Sequence, residues 1–189
     1  MNGGLERGPS TFQIRTVAVI GAGTAGRGFA LACAAAGFDV VLEDVMPAKL
    51  RKAEAEYADL GVTGRLRLAS TVEDAVREAD VAVDFVPDEL ESKLEIFSMI
   101  DRMAPPKTIL CTPSYALSIT DLASCVYRPE RCVAVRGELV RGGVVRVLHP
   151  VGVAEETLSA VSAFLRRLGL DARCEVDPDV PALMKNAAV

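Results

Sequence analysis

The chain has 189 residues, half of them apolar and a quarter charged, with a net charge of −5 and a single histidine. That length suits one domain with a proper core and leaves little room for a second. The negative balance removes any general electrostatic reason to bind nucleic acid or an anionic membrane.

The most apolar stretch, Phe29 to Phe38, falls far short of the roughly 20 residues that a bilayer-spanning helix needs. Cys33, Cys111, Cys125, Cys132 and Cys174 are odd in number and show no metal-ligand spacing. Neither a disulfide framework nor a zinc site is expected, and the cytoplasm is the expected location. Residues 1–11 read as a loose tail, because Met1 to Pro9 carry Gly, Glu and Arg without the apolar core of a signal peptide. One domain is expected over residues 12–181, with a second short tail over 182–189.

Along the chain, short apolar runs alternate with helical patterns, which predicts a parallel sheet with crossover helices. Residues 16–20 form a buried-strand run that ends in glycines. A second run, 39–42, ends in Glu43 and Asp44. Pro47 then opens a helix whose apolar side is Leu50, Ala53, Tyr57 and Leu60, and Gly61 stops it. Residues 66–69 read as a third strand, and Ser70 with Glu73 reads as the capping box of a short helix. Residues 81–85 are a fourth strand. The next helix is expected to carry Asp88, Glu89 and Glu91 in its first turn and Leu90, Leu94, Phe97 and Ile100 along its apolar stripe. Residues 108–111, 132–135 and 144–148 are further strands, with Gly142-Gly143 as a hairpin turn before the last. Leu158, Val161, Leu165 and Leu168 mark a final long helix, and Pro178 and Pro181 punctuate the remainder.

The sharpest local signal is Gly21-Ala22-Gly23-Thr24-Ala25-Gly26. It follows a strand, opens an apolar helix, and is matched by an acid, Asp44, at the end of the next strand. Each part has a physical task. Gly21 makes the tight turn, Gly23 keeps side chains out of the path of a pyrophosphate, and Gly26 lets helix and strand pack closely. The helix N-terminus offers free N–H groups to phosphates. Asp44 is placed to accept hydrogen bonds from the adenosine ribose, and its charge repels a 2′-phosphate. Glu43 adds a second charge and no arginine follows at once, so NAD is expected over NADP. The fold class that results is α/β, a Rossmann-type doubly wound, mostly parallel sheet in a single domain.

With these residues in view, the chain resembles the NAD-binding domain of the 3-hydroxyacyl-CoA dehydrogenase family. Residues 17–24 with Gly26-Arg27-Gly28 are similar to that family's opening, and residues 80–93 to its acidic fourth-strand segment. Residues 109–112 and 117–120 match its next strand and helix start, and residues 128–131 precede the sixth strand as they do in the family. Residues 155–157 and 179–181 match the end of the domain.

The resemblance implies an oxidoreductase of fatty acid metabolism that oxidises the CH–OH group of a 3-hydroxyacyl or related hydroxy-acid substrate with NAD. It assigns cofactor contacts to Gly21 through Gly26, Asp44, Asp88 and Lys93. It places Thr112 at the family's serine, with Pro113 where an asparagine follows. Its catalytic histidine and glutamate fall on Arg136 and Arg146, and neither guanidinium serves as a base at neutral pH. His149, about three residues beyond, is a candidate for a relocated base, against the plainer reading of a loop histidine without a carboxylate partner.

Arg136 and Arg146 are either anion ligands lining the cleft or solvated arginines on strand ends, and Lys93 either reaches a phosphate or ribose or is an exposed lysine. The family's coenzyme A arm is short here, and Val189 falls where its all-helical domain would begin. Two functions follow: a dehydrogenase working with altered residues or a separate helical partner chain, and a non-catalytic NAD(H)-binding sensor or subunit. Acyl-CoA or another anionic substrate, and a homodimer, are the remaining expected partners.

Overall fold

The structure is a computed structural model that describes residues 12–179. The two expected tails, 1–11 and 182–189, and residues 180–181 of the expected domain lie outside the described residues. In chain order the elements are β1 (Thr16–Ile20), α1 (Thr24–Ala35), β2 (Asp39–Glu43), α2 (Pro47–Leu60), β3 (Arg65–Ala69), α3 (Val72–Val76) and β4 (Val81–Asp84). Then follow α4 (Leu90–Met103), β5 (Ile109–Pro113), α5 (Ile119–Ala123), β6 (Cys132–Arg136), β7 (Val144–His149), α6 (Glu155–Arg167) and β8 (Asp171–Val176).

The eight strands form one sheet in the order β3-β2-β1-β4-β5-β6-β7-β8. Every pairing from β3 across to β6 is parallel. β6 and β7 are antiparallel, and β8 lies parallel to β7. This is the doubly wound α/β arrangement. The winding reverses between β1 and β4, which opens a crevice at the carboxyl ends of those strands.

Alternation along the strands explains the three layers. Val17 and Val19 of β1 point into a cluster with Phe29, Cys33, Leu50, Ala53, Val161 and Phe164, so α1, α2 and α6 cover one face. Ala18 and Ile20 point the other way, to Val72, Ile96, Phe97, Ile119 and Leu122 of α3, α4 and α5. Strands buried on both faces read as continuous apolar runs, as 16–20 and 39–42 do. On the first face Phe164 stacks edge-on to Phe29 and Phe38, at 6.2 and 5.1 Å between ring centroids.

Several expected details shift. The cap of α3 is Thr71, whose hydroxyl accepts from the Asp74 N–H, rather than the Ser70–Glu73 box; the motif sits one residue later. Leu60 is exposed, because α2 ends over solvent. Asp88 precedes α4, whose first helical residue is Leu90. β8 was not foreseen: Asp171 to Val176 carries three charges, and this edge strand is buried on neither face. The turn at Gly142-Gly143 closes as expected, with Gly143 N–H on the Val140 carbonyl at 2.9 Å and Gly142 at φ +85°. It lies within a longer connection from Gly137 to Gly143.

Candidate functional site

The glycine loop passes from β1 to α1 at the carboxyl edge of the sheet. Gly21 adopts φ +99°, a region that costs other residues strain. Its N–H donates to the Glu43 carbonyl at 2.9 Å. A Cβ on Gly26 would lie 1.9 Å from the Gly21 carbonyl oxygen, so only glycine lets helix and loop meet here. A Cβ on Gly23 would meet nothing within 4 Å. The two glycines therefore do different work: one closes the packing and the other leaves open space above the helix. Gly23 is the N-cap of α1 and supplies no side-chain cap. The first-turn N–H groups at Thr24, Ala25 and Gly26 face that space, as helix geometry leaves them unpaired. This is a cradle for a diphosphate.

Asp44 fixes the loop from the side. Its carboxylate accepts from the Ala22 N–H at 2.9 Å, the Met46 N–H at 2.9 Å and the Lys49 ammonium at 3.1 Å. Burial pushes its pKa up, and these three donors outweigh burial and hold it below the ordinary aspartate value. Lys49, on the first turn of α2, escaped the sequence reading, which looked only for an arginine directly after the acid. Glu43, expected to add a second charge near Asp44, is buried, and its pKa is raised, by burial first and by Asp44 second.

A cleft of about 620 Å³ runs from the loop along α1 to the far strands. Thr24, Ala25, Gly28, Phe29 and Ala32 form one wall, and Phe85, Pro113 and Tyr115 form the floor. Residues 137–141 of the β6–β7 connection form the other wall. Phe85 leans on Phe29 at 5.3 Å between centroids, which joins the floor to the helix. Asp88, exposed after β4, accepts from the Tyr115 N–H at 3.0 Å and ties the β4 and β5 loops together.

Beneath this floor lies a buried polar cluster. Lys93 of α4 is 1% exposed and donates to Asp84 at 2.8 Å and to the Thr112 hydroxyl at 2.8 Å. The second oxygen of Asp84 has no hydrogen-bond partner. Burial pushes the Asp84 pKa up against the pull of Lys93. Lys93 therefore neither reaches into the cleft nor sits exposed, and both expectations for it are corrected. Thr112 is fully buried against the same ammonium, and its hydroxyl does not line the cleft. Cys111 lies in the same strand, its thiol pushed by burial to about 12, which suits a core residue and not a nucleophile.

Arg136 and Arg146 stand directly opposite each other in the β6–β7 ladder. Arg136 donates to the carbonyls of Ser114 at 3.1 Å and Leu117 at 2.9 Å and pairs with Asp179. Arg146 pairs with Glu175 of β8. Neither lines the cleft, so the expected anion site at these two residues is corrected. Arg136 is also not a solvated arginine, since it closes the loop after β5. His149 falls away from the cleft because β7 runs backwards. Leu148 pairs with Ala134, so His149 lies one step further down β6, roughly 10 Å below its carboxyl end. Its ring nitrogen contacts the Pro150 carbonyl at 3.1 Å.

Among the described residues, no group of three His, Cys, Asp or Glu side chains is arranged to hold a metal ion. No helix among them is long and apolar enough to cross a membrane.

A glycine turn, an open helix N-terminus and an acid at the end of the second strand define a dinucleotide-binding α/β domain. The family model described as 3-hydroxyacyl-CoA dehydrogenase, NAD binding domain, matches residues 16–136, and the chain belongs to this family. A probable 3-hydroxybutyryl-CoA dehydrogenase of Bacillus subtilis strain 168 is 31% identical over 92% of this chain and 66% of its own length. An L-carnitine dehydrogenase of Burkholderia mallei is 30% identical over 84% of this chain and 54% of its own length. Among solved structures, a 5-formyl-3-hydroxy-2-methylpyridine 4-carboxylic acid 5-dehydrogenase, an NAD+-dependent dismutase, superposes with a TM-score of 0.77. It is 26% identical over 93% of this chain and 61% of its own. The chain thus spans about two thirds or less of the proteins it matches.

Proposed function

We propose that the chain binds NAD(H) and forms the cofactor half of an oxidoreductase. Its reaction would interconvert a hydroxyl and a carbonyl on a 3-hydroxyacyl or related hydroxy-acid substrate. The observation that carries this reading is the continuity of the diphosphate cradle, through Thr24 and Ala25, with the 620 Å³ cleft, which offers a path for a dinucleotide and a place for substrate beyond it.

In this reading the N–H groups of residues 23–26 hold the diphosphate, and Asp44 receives the adenosine ribose once Lys49 swings aside. Residues 85, 113 and 115 form the floor under the nicotinamide. Bound NAD supplies hydride acceptance or donation. Asp88 positions the floor by holding Tyr115, and Lys93 acts from below by fixing Thr112 and the end of β5. A cytoplasmic location and either a homodimer or a helical partner chain belong to the same proposal.

A second reading, a non-catalytic NAD(H)-binding module, is favoured by one specific observation. The described lining of the cleft includes no histidine, and both arginines at the family's catalytic positions are engaged elsewhere. Fluorescence titration with NADH and NADPH tests the cofactor. Roughly micromolar NADH binding with much weaker NADPH binding is expected, and binding of neither removes both readings. Turnover of acetoacetyl-CoA with NADH by the purified single chain then separates them, since sustained turnover eliminates the non-catalytic module.

A further inference from the structure

We propose that Arg141 anchors a carboxylate on the substrate, so that this cleft takes a keto or hydroxy acid with a free acid group and a short apolar body. The inference rests on reading the cleft as the substrate end of the cofactor site.

Among the thirteen described residues that line the cleft, Arg141 is the one cation and Glu138 the sole acid, and the rest are uncharged. The other arginines near this edge are engaged, Arg136 with Asp179 and two carbonyls, Arg146 with Glu175. Arg141 has no hydrogen bond or ion pair among the described residues. Arg141 is exposed, but its stem has a defined bed. Gly169 sits at φ +80°, where a Cβ would come within 2.8 Å of the Arg141 Cγ, so the absent side chain at 169 makes the bed on which the arginine stem lies. The next residue, Gly142, donates its N–H to the Gly169 carbonyl at 2.8 Å, and Asp171 N–H returns to Gly143 at 2.9 Å.

A guanidinium carried on a braced loop and free of a carboxylate partner is available to a planar anion. Glu138, exposed on the same wall, disfavours crowding several negative charges there and suits a single carboxylate better than a polyphosphate. Leu139 and Val140 stand between Glu138 and Arg141, facing Phe29 and Ala32 of the opposite wall, and supply the apolar surface for the body of the acid.

The test measures binding of acetoacetate and of its uncharged methyl ester by saturation-transfer NMR, with and without NADH, on the whole chain. Wild type is expected to prefer acetoacetate by about tenfold, the scale of one charge-assisted contact. Arg141→Gln should erase that preference and Arg141→Lys should keep part of it. Gly169→Ala, which retains the charge but displaces the stem, should lower it. All variants should bind NADH as wild type does.

Equal binding of acid and ester by wild type, or a preference surviving Arg141→Gln, overturns the proposal. Acetoacetyl-CoA is the arm for a phosphate source: if Arg141→Gln weakens only that ligand while acetoacetate is ignored, the carboxylate assignment is wrong. Absence of NADH binding by wild type, with the acid preference intact, would instead sink the cofactor reading and overturn the substrate role, leaving only a carboxylate contact at Arg141.

Discussion

Gly23 and Gly26, three positions apart, should fail in opposite ways when given a methyl group. At Gly26 a Cβ falls 1.9 Å from the Gly21 carbonyl and 3.1 Å from the Phe85 Cβ. Both obstacles are stiff, one of them backbone, and helix α1 must move by about 1 Å to clear them. Over-packing of this kind costs about 3 kcal/mol, which for a domain of this size lowers Tm by about 6–12 °C. At Gly23 the methyl group meets nothing, and φ −62°, ψ −179° suit alanine. Replacing an N-cap glycine costs a few tenths of a kcal/mol or somewhat more, offset by about 0.4–1 kcal/mol from the stiffer unfolded chain.

Gly23→Ala should therefore melt within about 2 °C of wild type yet bind NADH at least about tenfold more weakly, a loss of about 1.4 kcal/mol. Gly26→Ala should lose both stability and binding. Calorimetry and a fluorescence titration on the same preparations read the two effects separately. If Gly23→Ala binds NADH like wild type, the open space above α1 is not the diphosphate cradle. If Gly26→Ala melts like wild type, the close approach to Gly21 is not what the structure describes.

Lys93→Met strands the Asp84 carboxylate in the core and should cost about 3–5 kcal/mol near neutral pH. Asp84 can escape by taking up a proton. Its folded pKa is already raised by burial, so the deficit should be smallest in mild acid and grow as pH rises through that pKa; a deficit that ignores pH refutes the pairing. Asp44, Asp80 and Asp177 have folded pKa values below the ordinary one, because their N–H, hydroxyl and ammonium donors outweigh burial. Their stabilisation is full above the unfolded value, about 4, and is lost as pH falls through the lower folded values. Thermal melts should therefore hold steady down to about pH 5, and a loss already setting in near pH 6 would refute this account of the three aspartates. Lys49→Met removes the cation beside Asp44 and should sharpen the preference for NADH over NADPH by up to about fivefold. An unchanged ratio in parallel titrations would mean that Lys49 leaves the ribose site without effect.

Much of the fold was legible because it is written locally. Strands 16–20, 39–43 and 81–84 are buried on both faces and read as apolar runs, and each crossover helix carries its own apolar side. The misses have physical causes. Asp171 to Val176 is an edge strand held by its ladder to β7 and not by its own apolarity, so no run announces it. The α3 cap moved by one residue because Thr71 fills the role expected of Ser70: its hydroxyl accepts from the Asp74 N–H and donates to the Asp74 carboxylate.

The two ends of the site differ for a deeper reason. At the glycine loop, function follows from backbone shape, and backbone shape is specified by residues adjacent in sequence: Gly21, Gly23 and Gly26 announce themselves. At the other end, function depends on which long side chains find partners across the sheet. Arg136 could be placed opposite Arg146 by register, but nothing in their neighbourhood in sequence says that Asp179 and Glu175, dozens of residues later, would claim their guanidinium groups. The same reversal of β7 that brings those two arginines together carries His149 down the sheet, away from the cleft. It also leaves the Gly137 to Gly143 connection standing over the cleft, with Arg141 braced against Gly169. Among the described residues, the cation proposed to meet a ligand is thus placed by topology, by the one antiparallel pairing in an otherwise parallel sheet, and not by the positions at which a motif would look for it.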